Sequence, residues 1–472
     1  MGKKDGVVYT PVDVVEKMLD MVGYFPDRKP GFLETDFLDN SCGNGNILVV
    51  ALERACDALD KITEALAFTP KQKYSYYKHG LTNHFHGMEI NETECGKCIA
   101  RMNEVVSAHL GTNVKWDWDI MCCDSLNSQD ERTFDYIVCN PPYIRTRDIV
   151  TDLTGYEFVK EGMKDIYLAF YELGLKQLKP TGTMCYITPS SWFTSAAGKT
   201  MRDVLYKTRM ISQIYDYGHR QVFDDATTYV EITVLDFHAK KLYVEYGSEE
   251  MGDKRLMIPY DRVMVDGKFY FTDPETKKVL NSVQKAKGNI RVKNGFATLA
   301  DKIFIHDEKM DDSPYVIPVV KSSTGKRSWC IYPYDGEGKL VDEWPFAMSS
   351  PRSKDYLMDN KGLLLDRDTD EPYYAFGRTQ AINDTYKDKW VIKSIVKTVD
   401  DIKPAFVPAG TGVYGGLYIL CDGPEQLECL KTEEFLDYVK SLKKYKSGGY
   451  YTYSSKDLER YLNWKNYEAE KS

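Results

Sequence analysis

Short strand-like runs alternate with helical segments through the first half of this sequence, and this alternation constrains the fold more than any other feature. The runs lie at residues 37–39, 86–90, 120–124, 134–139, 184–188, 211–217 and 230–237. Several of the segments between them keep apolar residues at helical spacing. Because strand–helix–strand units join parallel strands, the pattern predicts an α/β fold in which helices cover both faces of a parallel sheet.

The pattern changes after about residue 245. Aromatic, proline and glycine residues become denser, and short strand-like runs are broken by turns. Helical spacing returns at 432–445 and 455–463. We therefore predict two domains, 1–245 and 246–472, of which the second has an irregular α+β fold.

The composition limits the functions that are open. The 472 residues include 62 Lys and Arg against 71 Asp and Glu, a formal charge of −9, whereas nucleic-acid binders tend to be basic. No stretch approaches the roughly 18 apolar residues of a membrane span, and no apolar signal core follows the N-terminus. The 11 cysteines are scattered, and Cys95 and Cys98 have no second pair or nearby His for a zinc set. We expect a soluble, non-secreted protein that holds no metal.

A glycine-rich turn follows the first strand-like run and opens a helix. Gly43 and Gly45 let the backbone approach a ligand closely, and a helix N-terminus supplies unpaired N–H groups. The third position of the dinucleotide-binding pattern is Leu48 rather than glycine. Taken alone, the turn fits either a nucleotide-like ligand or an ordinary tight connection between a strand and a helix.

Acidic residues end three successive strands of the predicted sheet. They are Asp39, Glu89 and Asp124. A carboxylate at the end of the second strand can accept hydrogen bonds from ribose hydroxyls, and Asp124 is placed to accept from an exocyclic amine such as that of adenine. Because the carboxyl ends of the strands share one edge, we expect the three acids and the glycine turn to form one site. For Glu89 taken alone, a surface acid at a strand end is the alternative.

The tetrapeptide Asn140-Pro141-Pro142-Tyr143 ends the fourth strand. The Asn side-chain oxygen and the backbone carbonyl next to it make two adjacent acceptors, and the prolines hold the turn rigid. Two acceptors can bind both hydrogens of an aromatic amine and localise its lone pair on nitrogen. Tyr143 can stack on the ring that carries the amine. In isolation the tetrapeptide also fits a proline-stiffened strand end.

Together these motifs resemble the S-adenosylmethionine-dependent amino-methyltransferases of DNA. Tyr9-Thr10-Pro11 resembles the family's leading motif, which contacts the methionine part of the cofactor. Residues 39–45 resemble D-P-A-C-G-S-G, with Asn40 in place of Pro and Ser41 in place of Ala. The resemblance implies a Rossmann-like, seven-stranded methyltransferase domain with S-adenosylmethionine as cofactor. The cofactor-binding residues that it implies are Tyr9, Thr10, Asp39, Ser41, Gly43, Gly45, Glu89, Ile90, Asp124, Ser125 and Asn140.

The identity and order of the motifs narrow the resemblance. N-P-P-Y is typical of adenine-N6 enzymes, and the motif order is similar to the gamma class, which includes TaqI-type enzymes and larger modification enzymes of restriction systems. In that class a Phe beyond the sixth strand stacks on the flipped base; Phe223 matches it, with an ordinary core Phe as the alternative. The resemblance implies methyl transfer to N6 of a flipped-out adenine, with Asn140, Pro141, Tyr143 and Phe223 as catalytic residues and the last two on opposite faces of the base.

The second domain is expected to recognise the DNA sequence. Residues 292–298, 374–380 and 448–451 resemble parts of a target-recognition domain. Basic residues are concentrated at 277–293 and 440–446, so a net charge of −9 does not exclude DNA. An ordinary solvated helix face is the alternative for each basic segment.

Four polar residues are candidate DNA contacts. Arg378 and Gln380 are of the types that bind guanine and adenine bidentately in the major groove. Arg145 and Arg147 follow the tetrapeptide and suit backbone phosphate. Solvated surface positions are the alternative for all four.

The resemblance also implies partners and a location. The expected partners are double-stranded DNA and a separately encoded cognate restriction endonuclease. The protein is expected to be a monomer in a prokaryotic cytoplasm that associates with the nucleoid through DNA and contacts no membrane. Because the leading motif begins by residue 9, we expect no nuclease domain ahead of it. The open alternatives are methylation of cytosine N4, RNA or protein glutamine, and a non-catalytic DNA-specificity subunit.

Overall fold

The computed structural model divides the chain into two compact units, Met1–Asp273 and Pro274–Ser472. The structure describes residues 9–28, 31–148, 151–160, 165–223, 228–238 and 240–471. The predicted boundary at 245/246 is wrong, because it falls inside a strand, Tyr243–Ser248, that pairs with Ile211–Asp216 in the sheet of the first unit.

The first unit alternates strands and helices as far as its sixth strand. Its strands are β1 (Phe37–Asp39), β2 (Phe85–Glu89), β3 (Asp119–Cys122), β4 (Phe134–Cys139), β5 (Leu178–Pro189), β6 (Ile211–Asp216), β7 (Val230–Asp236), β8 (Tyr243–Ser248), β9 (Leu256–Pro259), β10 (Met264–Val265) and β11 (Lys268–Phe269). Its helices are α1 (Val12–Met21), α2 (Asn46–Ala65), α3 (Pro70–Thr82), α4 (Glu92–Leu110), α5 (Tyr167–Gln177) and α6 (Lys199–Thr208).

Within the described part of this unit, nine strands form one sheet in the order β3-β2-β1-β4-β5-β7-β6-β8-β9. The strands from β3 to β5 are parallel, whereas β7 is antiparallel to both β5 and β6. β8 then adds parallel to β6, and β9 adds antiparallel to β8. The predicted α/β class is confirmed. The strand–helix alternation predicts a parallel sheet, but the sheet is mixed, and β8 and β9 extend the seven strands that the resemblance implies. Consecutive strands that pair directly, such as β6 with β7, run antiparallel because no crossover separates them.

The side chains of alternate residues in the central strands pack into two apolar cores, one on each face of the sheet. Phe37 and Val138 lie in the core that also contains residues of α1, α2 and α4. Leu38 and Ile137 lie in the core that contains residues of α5 and α6. This alternation of side chains covers both faces with helices and leaves the carboxyl edge of the parallel strands for a binding site.

The chain passes from α5 into β5 without a turn. The sequence predicts a helix at 165–178 capped by Asp165 and ended by Pro180, but the helix is Tyr167–Gln177 and has no side-chain cap. Pro180 lies inside β5, where the pairing with β4 is interrupted between Phe134 and Tyr136. The missing N–H of Pro180 therefore removes no bond from the ladder.

The second unit combines small sheets with helices, as the predicted irregular α+β fold requires. Its strands are β12 (Arg291–Asn294), β13 (Ile305–His306), β14 (Val316–Lys321), β15 (Lys326–Ile331), β16 (Lys389–Ile392), β17 (Ile395–Val396), β18 (Ala405–Val407), β19 (Gly412–Tyr414), β20 (Leu417–Leu420), β21 (Tyr445–Lys446) and β22 (Tyr450–Thr452). Its helices are α7 (Pro274–Lys285), α8 (Asp301–Phe304), α9 (Glu343–Ser349), α10 (Pro351–Asp359), α11 (Lys361–Leu365), α12 (Glu433–Ser441) and α13 (Ser455–Lys471).

Three small sheets organise this unit, in the orders β12-β20-β16-β18, β13-β15-β14-β19 and β17-β22-β21. An aromatic-rich core that includes Phe296, Tyr332 and Phe376 joins the first two. The predicted helices 432–445 and 455–463 correspond to α12 and α13, although α12 ends earlier and α13 continues to Lys471. Among the described residues of the whole chain, no helix combines the length and apolarity needed to cross a membrane.

Candidate active site

A cleft lies at the carboxyl edge of the large sheet, where β1, β2 and β4 end. The residues that line it are Tyr9, Thr10, Asp39, Ser41, Cys42, Gly43, Asn44, Asn46, Ile47, Glu89, Asn140, Pro141, Pro142 and Tyr143. The structure therefore brings together the leading motif, the glycine turn, the acid of β2 and the tetrapeptide, which are far apart in the sequence.

The glycine turn has a backbone that other residues adopt only with strain. Gly43 and Gly45 have φ angles of 50° and 86°, in the left-handed region. A Cβ on Gly45 would lie 2.7 Å from the Sγ of Cys98, so the turn also sits tightly against α4. Gly45 caps the N-terminus of α2, which directs the first N–H groups of a 20-residue helix towards the cleft.

Glu89 is buried at the end of β2 and is held by backbone donors. One carboxylate oxygen accepts a hydrogen bond from the Gly43 N–H at 3.0 Å, and the other accepts from the Asn91 N–H at 2.8 Å. Each oxygen keeps a further lone pair, so this carboxylate is both fixed and able to accept from a ligand. The following residue, Ile90, has an apolar side chain that is 68% exposed.

Asp39 is buried beneath the turn. It accepts a hydrogen bond from the Ser41 N–H at 3.2 Å. Burial raises the pKa of Asp39 to about 7, with Glu89 adding to the shift by repulsion and the Ser41 bond opposing it. Asp39 thus shapes the turn and carries a carboxyl group that is easily protonated.

Two predicted cofactor residues are engaged outside the cleft lining. Asp124 caps a short 3-10 helix, accepting from the Leu126 N–H at 3.1 Å and from the Asn127 side chain at 2.9 Å. Ser125 donates to the backbone carbonyl of Asn40 at 2.7 Å. Of the predicted cofactor residues, four do not belong to the described cleft lining: Gly45, Ile90, Asp124 and Ser125.

The side-chain amide of Asn140 is bound at both ends. Its Nδ2 donates to the hydroxyl of Thr10 at 3.1 Å, and its Oδ1 accepts from the hydroxyl of Tyr143 at 2.7 Å. The same Tyr143 hydroxyl lies 2.8 Å from the carbonyl oxygen of Ile187 in β5. The Tyr143 hydroxyl therefore lies within hydrogen-bond distance of two carbonyl oxygens, those of Asn140 and Ile187.

Phe223 lies beside Tyr143, but the two rings do not face each other across a gap that would hold a base. The two ring centroids are 6.2 Å apart with the planes inclined at 56°, and Phe223 is 2% exposed. Two rings that enclose a base need about 7 Å between parallel planes, twice the carbon–carbon contact distance. The predicted arrangement on opposite faces is thus not the arrangement in this structure, because Phe223 packs into the core.

Sequence patterns missed the residues that support the cleft. The guanidinium of Arg101 donates from Nη1 to the carbonyl of Asn44 at 2.9 Å, to its side chain at 2.8 Å and to Oδ1 of Asn46 at 2.5 Å. Asn46 in turn donates to the backbone carbonyl of Thr10 at 3.2 Å. Tyr9 donates to Glu94 of α4 at 3.0 Å. The only signal in the sequence is the spacing of Glu94 and Arg101 on one face of the helix that follows Glu89.

A further buried carboxyl group, that of Glu231, lies opposite Thr188, the residue after Ile187. Glu231 of β7 accepts from the side chains of Thr188 at 2.9 Å, Trp192 at 2.8 Å and Thr233 at 2.6 Å. Burial raises the pKa of Glu231 to about 8, although these three donors lower it. It stabilises the end of β5 that carries the Ile187 carbonyl.

The candidate DNA contacts have different environments. Arg145 is exposed, whereas the side chain of Arg147 lies outside the described part of the chain. In the second unit Arg378 is exposed, and its backbone pairs with that of Ala297. Gln380 is exposed too, but its amide donates to the carbonyl of Gly295 at 3.0 Å, so one of its recognition groups already has a structural partner.

The basic segments of the second unit are partly neutralised. Lys293 and Lys278 form ion pairs with Asp384 and Glu275, and Lys444 pairs with Asp457. No group of three or more His, Cys, Asp and Glu side chains suited to a metal occurs among the described residues. Cys95 and Cys98 are buried in α4, where Cys95 donates to the carbonyl of Glu89.

Part of this chain is similar to known proteins. Residues 43–223 match the family model described as Eco57I restriction-modification methylase. The chain is 24% identical to the type II restriction enzyme and methyltransferase RM.Eco57I of Escherichia coli, over 86% of this chain and 51% of that protein. It is also 24% identical to the type II methyltransferase M.BstVI of Geobacillus stearothermophilus, over 77% of this chain and 72% of that protein. The chain thus spans about half the length of RM.Eco57I.

Solved structures share the fold. The type IIL restriction-modification enzyme MmeI, solved in complex with DNA, has a TM-score of 0.66 at 14% identity, covering 94% of this chain and 65% of that one. A nuclease-deletion mutant of the type ISP enzyme LlaGI, solved with a DNA substrate mimic, has a TM-score of 0.54 at 12% identity, covering 97% of this chain and 46% of that one. The resemblance drawn from the motifs is confirmed by these similarities: residues 43–223 match the Eco57I restriction-modification methylase model, and the two relatives are named as type II methyltransferases.

Proposed function

We propose that this chain transfers a methyl group from S-adenosylmethionine to N6 of an adenine that is flipped out of a specific duplex DNA sequence. The observation that carries the proposal is the position of Asn140. Asn140 lines the same cleft as Gly43 of the glycine turn and Glu89, and its side-chain oxygen accepts from the hydroxyl of Tyr143. The methyltransferase names of the relatives, M.BstVI among them, support the reaction class.

The donor set of the cleft fits this cofactor. Glu89 offers fixed carboxylate oxygens for two ribose hydroxyls, and the left-handed Gly43 and Gly45 form a turn that admits a ligand close to the backbone. Tyr9 and Thr10 line the cleft where the leading motif would contact the methionine part. When bound, S-adenosylmethionine supplies an electrophilic methyl group on a sulfonium sulfur. Ile90, Asp124 and Ser125 stay predicted contacts for the adenine end.

Asn140 binds and orients the nucleophile. Its Oδ1 and the adjacent backbone carbonyl accept the two hydrogens of the target amine, which localises the nitrogen lone pair for attack on the methyl carbon. The bond from nitrogen to methyl forms as the bond from sulfur to methyl breaks, and the amine proton leaves to solvent. Pro141 and Pro142 keep the turn rigid, so the rate comes from orientation and from hydrogen bonds that strengthen as positive charge develops on nitrogen.

The amine reaches the cleft only if the base leaves the duplex, at a cost of a few kcal/mol. Stacking on Tyr143 returns roughly 1 to 3 kcal/mol. The ring centroids of Phe223 and Tyr143 are only 6.2 Å apart, so a base can stack between the two rings only if Phe223 withdraws from the core. Base entry and movement of Phe223 are therefore coupled in this proposal.

The partner is double-stranded DNA. Arg145 and Arg147 bind phosphate beside the flipped base, and Arg378 and Gln380 belong to the sequence-reading unit. RM.Eco57I is named as both restriction enzyme and methyltransferase; for this chain we propose a monomeric methyltransferase in the cytoplasm with a separately encoded endonuclease as partner.

The test is methylation of unmodified genomic DNA by the purified protein, followed by sequencing that detects modified bases. We expect N6-methyladenine confined to one short sequence. Modified cytosine, or methylation of RNA or a glutamine peptide in place of DNA, would contradict the proposal. Binding of DNA and cofactor without transfer would instead identify a non-catalytic specificity subunit.

A further inference from the structure

The hairpin of β14 and β15 carries a group of basic residues at its turn. Lys321 is the last residue of β14, and Lys326 and Arg327 begin β15. Lys326 and Arg327 are exposed, as are the turn residues 323–325, whereas Lys321 is half-buried. Residues 313–334, which include the whole hairpin, contain no Asp or Glu. The turn is therefore a locally basic feature of a chain whose net charge is −9.

Acidic side chains leave most of this positive charge uncompensated. Lys326 pairs with Asp307 at 2.7 Å, but the two side chains are 58% and 76% exposed, so water screens the pair. Within the described part of the chain, no carboxylate forms an ion pair with Lys321 or Arg327. Three cations thus face one acid, and the turn keeps a local excess of positive charge.

The strand pairing places two of these cations directly opposite each other. Lys321 and Lys326 are register partners in the β14–β15 ladder, so their side chains leave the same face of the sheet. Like charges at directly opposed positions destabilise a pair of strands. An anion bound between the two ammonium groups would remove this repulsion.

The surface beside Lys321 is backbone without side chains. β19 runs parallel to β14 and ends at Tyr414, the register partner of Lys321, and two glycines follow it. The first of them, Gly415, is exposed and has a left-handed φ of 59°. A Cβ on Gly415 would lie 3.3 Å from two carbons of the Lys321 side chain. The glycine therefore leaves room for a bulky anion, such as a phosphate diester, beside this lysine.

Hydrogen bonds fix the backbone of the turn. The hydroxyl of the buried Ser322 donates to the carbonyl of Leu417 at 2.5 Å. The next N–H, that of Ser323, donates to the carbonyl of Gly415 at 3.2 Å. The backbone that carries the three cations is therefore ordered before a ligand binds, which lowers the entropic cost of binding.

The turn adjoins one of the candidate base-reading residues. The N–H of Gly295 donates to the carbonyl of Gly416 at 2.9 Å, and the carbonyl of Gly295 accepts from the side chain of Gln380 at 3.0 Å. Gln380 and the basic turn thus lie on either side of the same pair of glycine segments. A ligand that lies along the turn would pass close to Gln380.

We propose that Lys321, Lys326 and Arg327 form a binding site for the phosphate backbone of duplex DNA, and that this contact fixes the second unit on the duplex. The inference rests on the proposed function, in which duplex DNA is the partner. Contacts to phosphate supply affinity and orientation without sequence information, and each one releases condensed counterions. The site therefore strengthens binding of any duplex sequence, and its contribution falls as the salt concentration rises.

The test measures binding of a short fluorescent duplex by anisotropy across a series of NaCl concentrations. The double variant Lys321→Ala with Arg327→Ala removes the two cations that the described carboxylates leave without an ion pair. We expect its Kd at low salt to rise roughly 10- to 100-fold, and the slope of log Kd against log[NaCl] to fall by about 2, since each phosphate contact contributes about 0.9. Lys321→Arg with Arg327→Lys keeps both charges, and its Kd should stay within about threefold of wild type.

Arg352→Ala with Lys456→Ala is the matched control. Both residues are exposed, in α10 and α13 of the same unit, and this variant loses the same charge. We expect the Kd and the slope of wild type. Equal losses in the control and the hairpin variant would show an effect of net charge alone and would overturn the proposal. If the double variant does not fold, the single variants Lys321→Ala and Arg327→Ala decide, each with an expected loss of about 1 in the slope.

Other outcomes separate this inference from the proposed function. Wild-type protein that binds the duplex with the hairpin-dependent slope but methylates no DNA contradicts the proposed function alone. Wild-type protein that methylates DNA, while the double variant binds and methylates equally well, contradicts this inference alone. Displacement of the duplex by inorganic phosphate at constant ionic strength would make the turn a site for free phosphate. That result, or tighter binding of single-stranded RNA than of duplex DNA by the same cations, would also overturn the inference.

Discussion

The two walls of the cleft are built in different ways. We name the walls by their proposed roles. The cofactor wall consists of Asp39, Ser41, Gly43 and Glu89, together with Gly45 of the same turn. The target wall consists of Thr10, Asn140 and Tyr143, together with Ile187, whose carbonyl oxygen Tyr143 contacts. Backbone N–H groups fix the cofactor wall, through Ser41 to Asp39 and Gly43 to Glu89. In the target wall, side chains bond residues that are 130 and 44 positions apart in the sequence.

This difference predicts how each wall fails. Substitution in the cofactor wall should act through backbone conformation and charge, and should weaken cofactor binding. Substitution in the target wall should remove oriented side-chain groups, and should lower the rate while the cofactor still binds. The experiments below test whether the two effects separate.

The largest effect is expected at the target wall. Asn140→Ala removes the acceptor for the target amine, and we expect kcat to fall roughly 10²- to 10³-fold, the range for loss of one oriented hydrogen-bonding group. The Kd for S-adenosylmethionine should stay within about threefold in calorimetry. Asn113→Ala, at an exposed position outside the cleft lining, is the control and should leave kcat unchanged. A parallel loss of cofactor affinity would mean that the walls are not separate.

The next effect is expected at Gly45 in the cofactor wall. Gly45→Ala combines a left-handed backbone with a Cβ 2.7 Å from Cys98, and we expect about 2 to 4 kcal/mol loss of unfolding free energy in urea titrations. Gly96→Ala is the matched control, because a Cβ there meets nothing within 4 Å and the residue lies in α4. We expect that control to be neutral or slightly stabilising. Equal stability of the two variants would show that the turn relaxes freely.

A smaller effect is expected at Glu89. Glu89→Gln keeps the shape but removes the charge from the acceptor that holds Gly43, and we expect cofactor affinity to fall roughly 10- to 100-fold. The rate at saturating cofactor should stay within about threefold. Glu92→Gln, one turn away on the exposed side of α4, provides the control. If Glu89→Gln lowered kcat and left the Kd unchanged, the assignment of Glu89 to the cofactor wall would be wrong.

The smallest effect is the change in unfolding free energy per pH unit that comes from Glu231, the buried carboxyl group next to the target wall. Burial raises the pKa of Glu231 from 4.5 to about 8, so the folded protein retains a proton that the unfolded chain releases. The contribution of this group to the unfolding free energy should therefore be largest below pH 4.5 and fall between pH 4.5 and 8, by at most about 1.4 kcal/mol per pH unit. Glu231→Gln should flatten that slope in urea titrations. An unchanged slope would show that Glu231 is ionised in the folded protein across this range.

Local sequence patterns predicted the positions of the main site residues because each one ends a strand. The last residues of β1 and β2 are Asp39 and Glu89, and Asn140 comes directly after β4. Parallel strands bring such residues to one edge of the sheet. The glycine turn is equally local, since left-handed backbone favours glycine wherever it occurs. These elements needed no knowledge of tertiary packing.

Features that depend on long-range packing were not predictable in this way. The bond from Asn140 to Thr10 spans 130 residues, and no periodicity reports it. The addition of β8 and β9 to the sheet depends on an edge left open by β6, so the domain boundary was placed too early. The direct packing of Phe223 on Tyr143 depends on the core around both rings.

One measurement tests the central claim most directly. Unmodified duplex DNA is incubated with the protein and S-adenosylmethionine labelled in the methyl group, then digested to nucleosides that are separated and counted, for wild type and Asn140→Ala in parallel. The account predicts label in N6-methyl-2′-deoxyadenosine for wild type and a loss of roughly 10²-fold or more for Asn140→Ala. Label in N4-methyl-2′-deoxycytidine, or equal label in N6-methyl-2′-deoxyadenosine from both proteins, would contradict the claim that Asn140 orients an adenine amine for methylation.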